Sequence, residues 1–188
     1  MELQGERLIP APMATTWTAL NDPAMLKACI AGCESLERTG DDSFAALVTV
    51  KVGPVSAKFK GKLQLSNVVA PTSYTINFDG QGGVAGFGKG SAEVLLAEEG
   101  AGTRLKYHAR AQVGGKLAQV GSRLVDAAAA KVAQDFFAAF EAQLQPAPAA
   151  TPDGGQVPMP ADTETGNRAL WWGIAALVVV LLLYWLVR

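Results

Sequence analysis

The chain has 188 residues, a formal net charge of −1 and 49% hydrophobic residues, which excludes a highly charged disordered polymer and suffices for one buried core. Up to residue 145, fourteen Lys and Arg balance fourteen Asp and Glu with no basic stripe, so nucleic acid is excluded as a partner. Two cysteines and a single histidine leave neither a disulfide framework nor a metal-ligand set.

In chain order, residues 2–9 alternate as a strand, and the N-terminus has no basic segment followed by an apolar run, so no signal peptide is expected. Pro12 opens a short helix over residues 13–20. Asn21-Asp22-Pro23 stops it and starts a second helix through Ile30, because Asp caps and Pro suits a first turn. From Cys33 to Val113 the apolar period is two. Strands are expected over 44–51 and 55–66, joined at Gly53-Pro54, then over 74–78, 92–97 and 103–113. After Gly114-Gly115 the period becomes 3.6. Leu117, Val120, Leu124, Ala128, Val132, Phe136, Phe140 and Leu144 form one stripe of a long helix. The expected class is α+β, a curved antiparallel sheet around a long C-terminal helix, in a domain of residues 1–145.

Residues 146–167 are rich in Pro, Ala and Gly and read as a flexible linker. Its reach is roughly 25 Å as a coil and about 70 Å when extended. Residues 168–188 follow as the expected membrane anchor. Their LWWGIAALVVVLLLYWLV run holds eighteen residues without a charge, enough to cross roughly 27 Å of hydrocarbon. Trp171, Trp172, Tyr184 and Trp185 mark its two interfaces. The expected location is the inner, cytoplasmic membrane, with a single C-terminal pass and the domain facing the cytoplasm.

Candidate chemistry is sparse. The long helix carries Gly121, Ser122 and Ala127 to Ala130 where large groups would fill the sheet, and the strands bring Ala46, Ala57, Gly61, Ala109 and Ala111. Phe136, Phe137 and Phe140 close the far end. This pattern predicts an apolar ligand cavity lined by Phe59, Phe78, Phe87, Tyr107, Leu117, Val120, Gly121, Leu124, Ala128 and Phe136. Gly83 to Lys89 spells GVAGFGK, yet Gly90 stands where a phosphate loop needs Ser or Thr, and a strand follows instead of a helix. The glycines read instead as a mobile hairpin at the cavity mouth, tipped by Phe87, or equally as a plain flexible turn. Cys29 and Cys33 could share a helix face as small core residues. His108 shares parity with Arg104, Lys106 and Arg110 on a charged outer face. No catalytic or metal residues are assigned.

Several ordered blocks resemble the carbon monoxide dehydrogenase G-subunit (CoxG) family of the START-like (SRPBCC) helix-grip superfamily. They are Trp17 with Leu20-Asn21-Asp22-Pro23, the VKVGPV run from Val50, Ala57 to Gly61, Gly114 to Leu124, and Phe136-Phe137. Ala31-Gly32-Cys33 departs from the family's Pro-Gly-Cys. The resemblance implies an accessory subunit, not an enzyme, that serves a molybdenum hydroxylase of the carbon monoxide dehydrogenase type at the membrane. It also implies a respiratory quinone, menaquinone or ubiquinone, as carried ligand, with no covalently bound cofactor. Two alternatives stand beside it. One is an assembly or recruitment factor without a ligand, the other a cyclase- or hydrolase-like enzyme using Tyr107.

Overall fold

The computed structural model describes residues 1–145; the expected linker of residues 146–167 and the expected membrane anchor of residues 168–188 lie outside the described residues. The chain opens with strand β1 (Glu2–Ile9), then helices α1 (Met13–Leu20) and α2 (Pro23–Cys29). The Asp22 carboxylate accepts the Ala24 N–H at 2.9 Å, capping α2 over Pro23, as its residue type and position predict. Six further strands follow: β2 (Cys33–Gly40), β3 (Ser43–Val52), β4 (Val55–Val69), β5 (Ser73–Gln81), β6 (Phe87–Glu99) and β7 (Gly102–Gly114). Helices α3 (Lys116–Gln119) and α4 (Ser122–Leu144) end the described chain.

All neighbours in the sheet are antiparallel, in the order β1-β7-β6-β5-β4-β3-β2. The first strand thus pairs with the last, and the rest form a meander. Helix α4 packs against both β1 and β3. In a flat sheet, strands five places apart would be roughly 24 Å apart at about 4.8 Å per step, beyond the roughly 10–12 Å width of a helix. The sheet therefore curves around α4, giving the expected helix-grip arrangement. Register shifts at Cys33/Ser35, Arg38/Gly40 and Ser66/Val69 mark bulges, which bend and twist a strand.

The details differ from the sequence reading in three places. Residues 33–40 form a strand of their own, so Cys33 lies in β2 and shares no helix face with Cys29. The glycine-rich run is mostly strand, because β5 and β6 extend into it and pair Gly80 with Gly88 and Phe78 with Gly90. Only residues 82–86 connect them, around a single 3-10 turn at Gly83–Ala85.

The third difference is the helix stripe. Gly121 at φ +93 separates α3 from α4, a backbone geometry natural for glycine. The interruption resets the helical phase, so the stripe counted from Leu117 does not continue. On α4 the buried residues are Val125, Phe137 and Phe140, whereas Leu124 and Val132 are 49% and 50% exposed.

Candidate functional site

Register settles which side chains face the helix. Phe59 pairs with Val48, Gly61 with both Ala46 and Gly80, Leu63 with Phe78, and Phe78 with Gly90. Ala92 then pairs with Ala109, Tyr107 with Gly5, and Leu105 with Arg7. Directly paired residues share a face. The concave face therefore carries a run of glycine and alanine across β3 to β7 and β1.

Two apolar clusters close the ends of this face. At one end, Ile9, Tyr74, Val94, Leu96 and Leu105 pack with Phe137 and Phe140 of α4 and with Ala19, Leu20 and Cys29 of the short helices. Aromatic contacts knit this end. Tyr107 stacks on Phe137 at 5.1 Å, Phe136 stacks on Phe140 at 5.7 Å, and Trp17 meets Tyr74 edge-on at 5.4 Å. Burial pushes the Tyr74 phenol well above its usual pKa, so the ring stays neutral and its hydroxyl protonated. At the other end, Val52, Phe59, Ala85, Leu117 and Val125 form a second cluster.

Between the clusters, Ala46, Gly61, Leu63, Phe78, Gly80, Gly90, Ala92, Ala109 and Ala111 all face inward and all remain partly exposed. This partly exposed stretch of mostly small residues, less filled than the two ends, is the candidate groove. Its walls are thinned by a repeated device: aromatic rings lie across glycines of nearby backbone. A Cβ on Gly82 would stand 2.6 Å from the Phe59 ring and one on Gly5 2.6 Å from the Tyr107 hydroxyl, while one on Gly90 would meet the Arg110 carbonyl at 2.0 Å before the Phe78 ring at 2.9 Å. Phe59 and Tyr107 thus occupy space that a side chain would otherwise take, which keeps these rings close to the neighbouring backbone.

The opposite, outer face is charged and paired. Arg104 bonds Glu6 at 2.9 Å and also Glu99, while Glu2 holds His108 and, at 3.4 Å, Arg110. Lys58 bonds Glu34 at 2.9 Å. The hydrogen bond from His108, followed by Arg110, lowers the pKa of Glu2; Lys58 and then Thr49 act likewise on Glu34. These groups are solvated, so the pairs add little to stability. A depression of about 840 Å³ on this face is bordered by Glu2, Asp79, Lys89 and Arg110. Its charge and openness suit an apolar ligand poorly, and the inner groove is the better site. No group of three or more potential metal ligands occurs among the described residues.

The structure distributes the sequence-predicted lining residues unevenly. Phe59 and Leu117 are buried at one end, with Val120 and Ala128 packed beside them. Tyr107 and Phe136 join the other end, and Phe78 lies on the inner face between. Three residues fall away from the groove. Phe87 takes the outer parity of β6, where its ring covers Gly114 and Lys89 Nζ lies 6.0 Å from its centroid. Val84, 86% exposed, is the apolar tip of the connection instead. Leu124 leans toward the β3–β4 turn, where a Cβ on Gly53 would meet it at 3.6 Å. Gly121 is exposed and serves as the helix break.

Sequence reasoning passed over Arg7. It shares parity with Leu3, Gly5 and Ile9, so β1 turns this charge inward while the apolar Leu8 is 56% exposed on the outside. Strict alternation across residues 3, 5, 7 and 9 was the available signal.

The family model of the carbon monoxide dehydrogenase G-subunit (CoxG) matches residues 5–145. The chain belongs to the CoxG family.

Among solved structures, a conserved protein from Geobacillus kaustophilus is similar at 28% identity with a TM-score of 0.72, over 77% of this chain and 95% of that one. A Thermus thermophilus protein is similar at 19% identity and a TM-score of 0.58, over 77% of this chain and 97% of that one. The ZhuI aromatase/cyclase of Streptomyces sp. R1128 aligns at 13% identity and a TM-score of 0.55, over 77% of this chain and 93% of that one. The last two likenesses concern the fold alone. Among proteins of curated function, no sequence matches this CoxG-family chain.

Proposed function

We propose that this CoxG-family chain is a membrane-tethered accessory subunit, not itself an enzyme, that carries an apolar ligand. The ligand class is a respiratory quinone, menaquinone or ubiquinone. The partner is a molybdenum hydroxylase of the carbon monoxide dehydrogenase type, brought to the cytoplasmic face of the inner membrane. The observation that carries this reading is the accessible apolar groove between two packed clusters. Apolar surface left in water costs about 25 cal/mol per Å², so a ligand that covers it is favoured. A polyisoprenoid tail has the same need for cover away from the bilayer.

Two features support the remainder. The family's name associates the fold with carbon monoxide dehydrogenase. The eighteen uncharged residues from 170 to 187, bordered by aromatic pairs, have the length and pattern of a membrane span. A 22-residue linker would give the groove access to both bilayer and enzyme.

The full chain purified from membranes of its host, extracted and analysed by mass spectrometry, should release quinone in near-stoichiometric amount. Repeated preparations without quinone would remove that ligand. Two variants separate carriage from attachment. Ala109→Trp, on the inner face between the clusters, should fill the groove and reduce electron delivery to quinone, while deletion of residues 168–188 should release the protein from membranes. Intact delivery in Ala109→Trp together with loss on deletion would make recruitment alone the function.

A further inference from the structure

We infer that Arg7, with Tyr107 beside it, forms the polar end of the groove and binds a hydrogen-bond-accepting oxygen on the head of an otherwise apolar ligand. This rests on the reading of the groove as a ligand site. The strand register places Arg7 opposite Leu105 on the inner face, in line with Leu3, Gly5 and Ile9. Its guanidinium carbon lies 5.8 Å from the centroid of Phe137, and Tyr107 stacks on that same ring at 5.1 Å. One aromatic ring of α4 therefore has a cation and a phenol as its neighbours.

The guanidinium is incompletely satisfied. Its Nε is buried and has no hydrogen-bond partner. The Phe137 ring face, 5.8 Å from the guanidinium carbon, offsets part of its charge. A ring face offers no lone pair, however, so the Nε–H still lacks a hydrogen-bond acceptor. A buried donor without an acceptor costs free energy. The residues on either side of Arg7 along the face bring no side-chain acceptor. Glu2 and Glu6 have the opposite parity and are engaged with His108, Arg110 and Arg104. Glu141, half-buried on α4 one turn beyond Phe137, makes no ion pair with Arg7 among the described residues. The missing acceptor is supplied by a ligand. Nε–H and an Nη–H form a two-pronged donor that suits a carboxylate, and either prong suits a quinone carbonyl. The shared chemistry is an acceptor oxygen on an apolar body.

The test uses the full chain in phosphatidylcholine nanodiscs, with ¹⁵N-labelled arginine and ¹³C-methyl-labelled leucine and valine, observed by NMR. The Arg7 Nε–H resonance is assigned by its loss in Arg7→Lys. Three probes are added separately: decanoate, duroquinone, and cyclohexane, which has no oxygen. Decanoate or duroquinone should shift the Arg7 Nε–H signal and slow its exchange, and whichever does so identifies the head as carboxylate or carbonyl. Cyclohexane should move the methyls of Leu63, on the inner face between the clusters, without moving that signal. Arg7→Lys and Arg7→Gln should each weaken the effective oxygenated probe roughly 10- to 100-fold and leave cyclohexane binding unchanged. Equal binding of all three probes by wild type and both variants would overturn the role of Arg7 while leaving the groove in place. Absence of methyl shifts with every probe would overturn the groove, and with it this inference.

Discussion

Tyr107 lies across Gly5 of the neighbouring strand, so closely that a methyl group on Gly5 would stand 2.6 Å from the tyrosine hydroxyl oxygen and 2.8 Å from Cζ. The same ring stacks on Phe137, which links the edge strand to the long helix. Gly5→Ala should push Tyr107 off Phe137 and destabilise the protein by about 1–3 kcal/mol, as overpacking does. In the Tyr107→Ala background the added cost of Gly5→Ala should shrink to a fraction of this. Denaturant midpoints of the single and double variants check it. Equal costs in both backgrounds would mean that the ring is not what Gly5 accommodates.

The face that α4 turns to the sheet can be tested by truncation. Phe140 is fully buried and stacked on Phe136, so Phe140→Ala should cost about 3–5 kcal/mol. Leu124 is half-exposed, and Leu124→Ala should cost less than about 1 kcal/mol. Similar losses at the two positions would restore the continuous stripe counted from Leu117.

A buried hydroxyl pair ties the first helix to the last strand. Thr16 and Thr103 are both fully buried. The Thr103 hydroxyl donates to the Ala11 carbonyl at 2.7 Å, and Thr16 Oγ1 lies 3.3 Å from both that carbonyl and Thr103 Oγ1. Thr103→Val keeps the shape but removes the 2.7 Å donor to the Ala11 carbonyl, which leaves only the longer Thr16 contact. It should cost about 1–3 kcal/mol, read from urea unfolding. Thr103→Ser, which keeps the hydroxyl, should recover the part that hydrogen bonding supplies.

The two cysteines should differ in reactivity. Burial raises both thiol pKa values, and at Cys33 the positive charge of Lys27 partly opposes this. A raised pKa means less thiolate at a given pH and therefore slower alkylation. Cys29 is buried and Cys33 half-buried. At pH 8 iodoacetamide should modify Cys33 first, with the rate rising as pH approaches the raised value. Peptide mapping over time checks the order, and faster labelling of Cys29 would contradict its burial.

Much of the architecture was legible because local physics decided it. Asp22-Pro23 starts a helix in any context, Gly53-Pro54 turns a chain, and residues 55–65 alternate cleanly enough to assign their inner face. The outward place of His108 followed from the same parity. Residues 33–40 were harder to assign, since a polar edge strand with bulges shows little periodicity. Arg7 and Leu8 invert the usual rule of apolar inside and polar outside, so composition at those two positions pointed the wrong way.

The amino-acid sequence by itself determined the order and type of most elements, the amphipathic faces of the strands, and the family blocks that run through residues 1–145. These depend on neighbours within a few residues. Only the tertiary structure decided the phase of α4, because one glycine at φ +93 resets a helical count that spacing alone would carry through. It also decided which rings lie over which glycines, and that a single arginine meets Phe137 from an edge strand more than a hundred residues away in the chain. Such contacts depend on how far the sheet curves. Curvature is set by bulges, pairing and packing summed over seven strands, and no local window of sequence contains that sum.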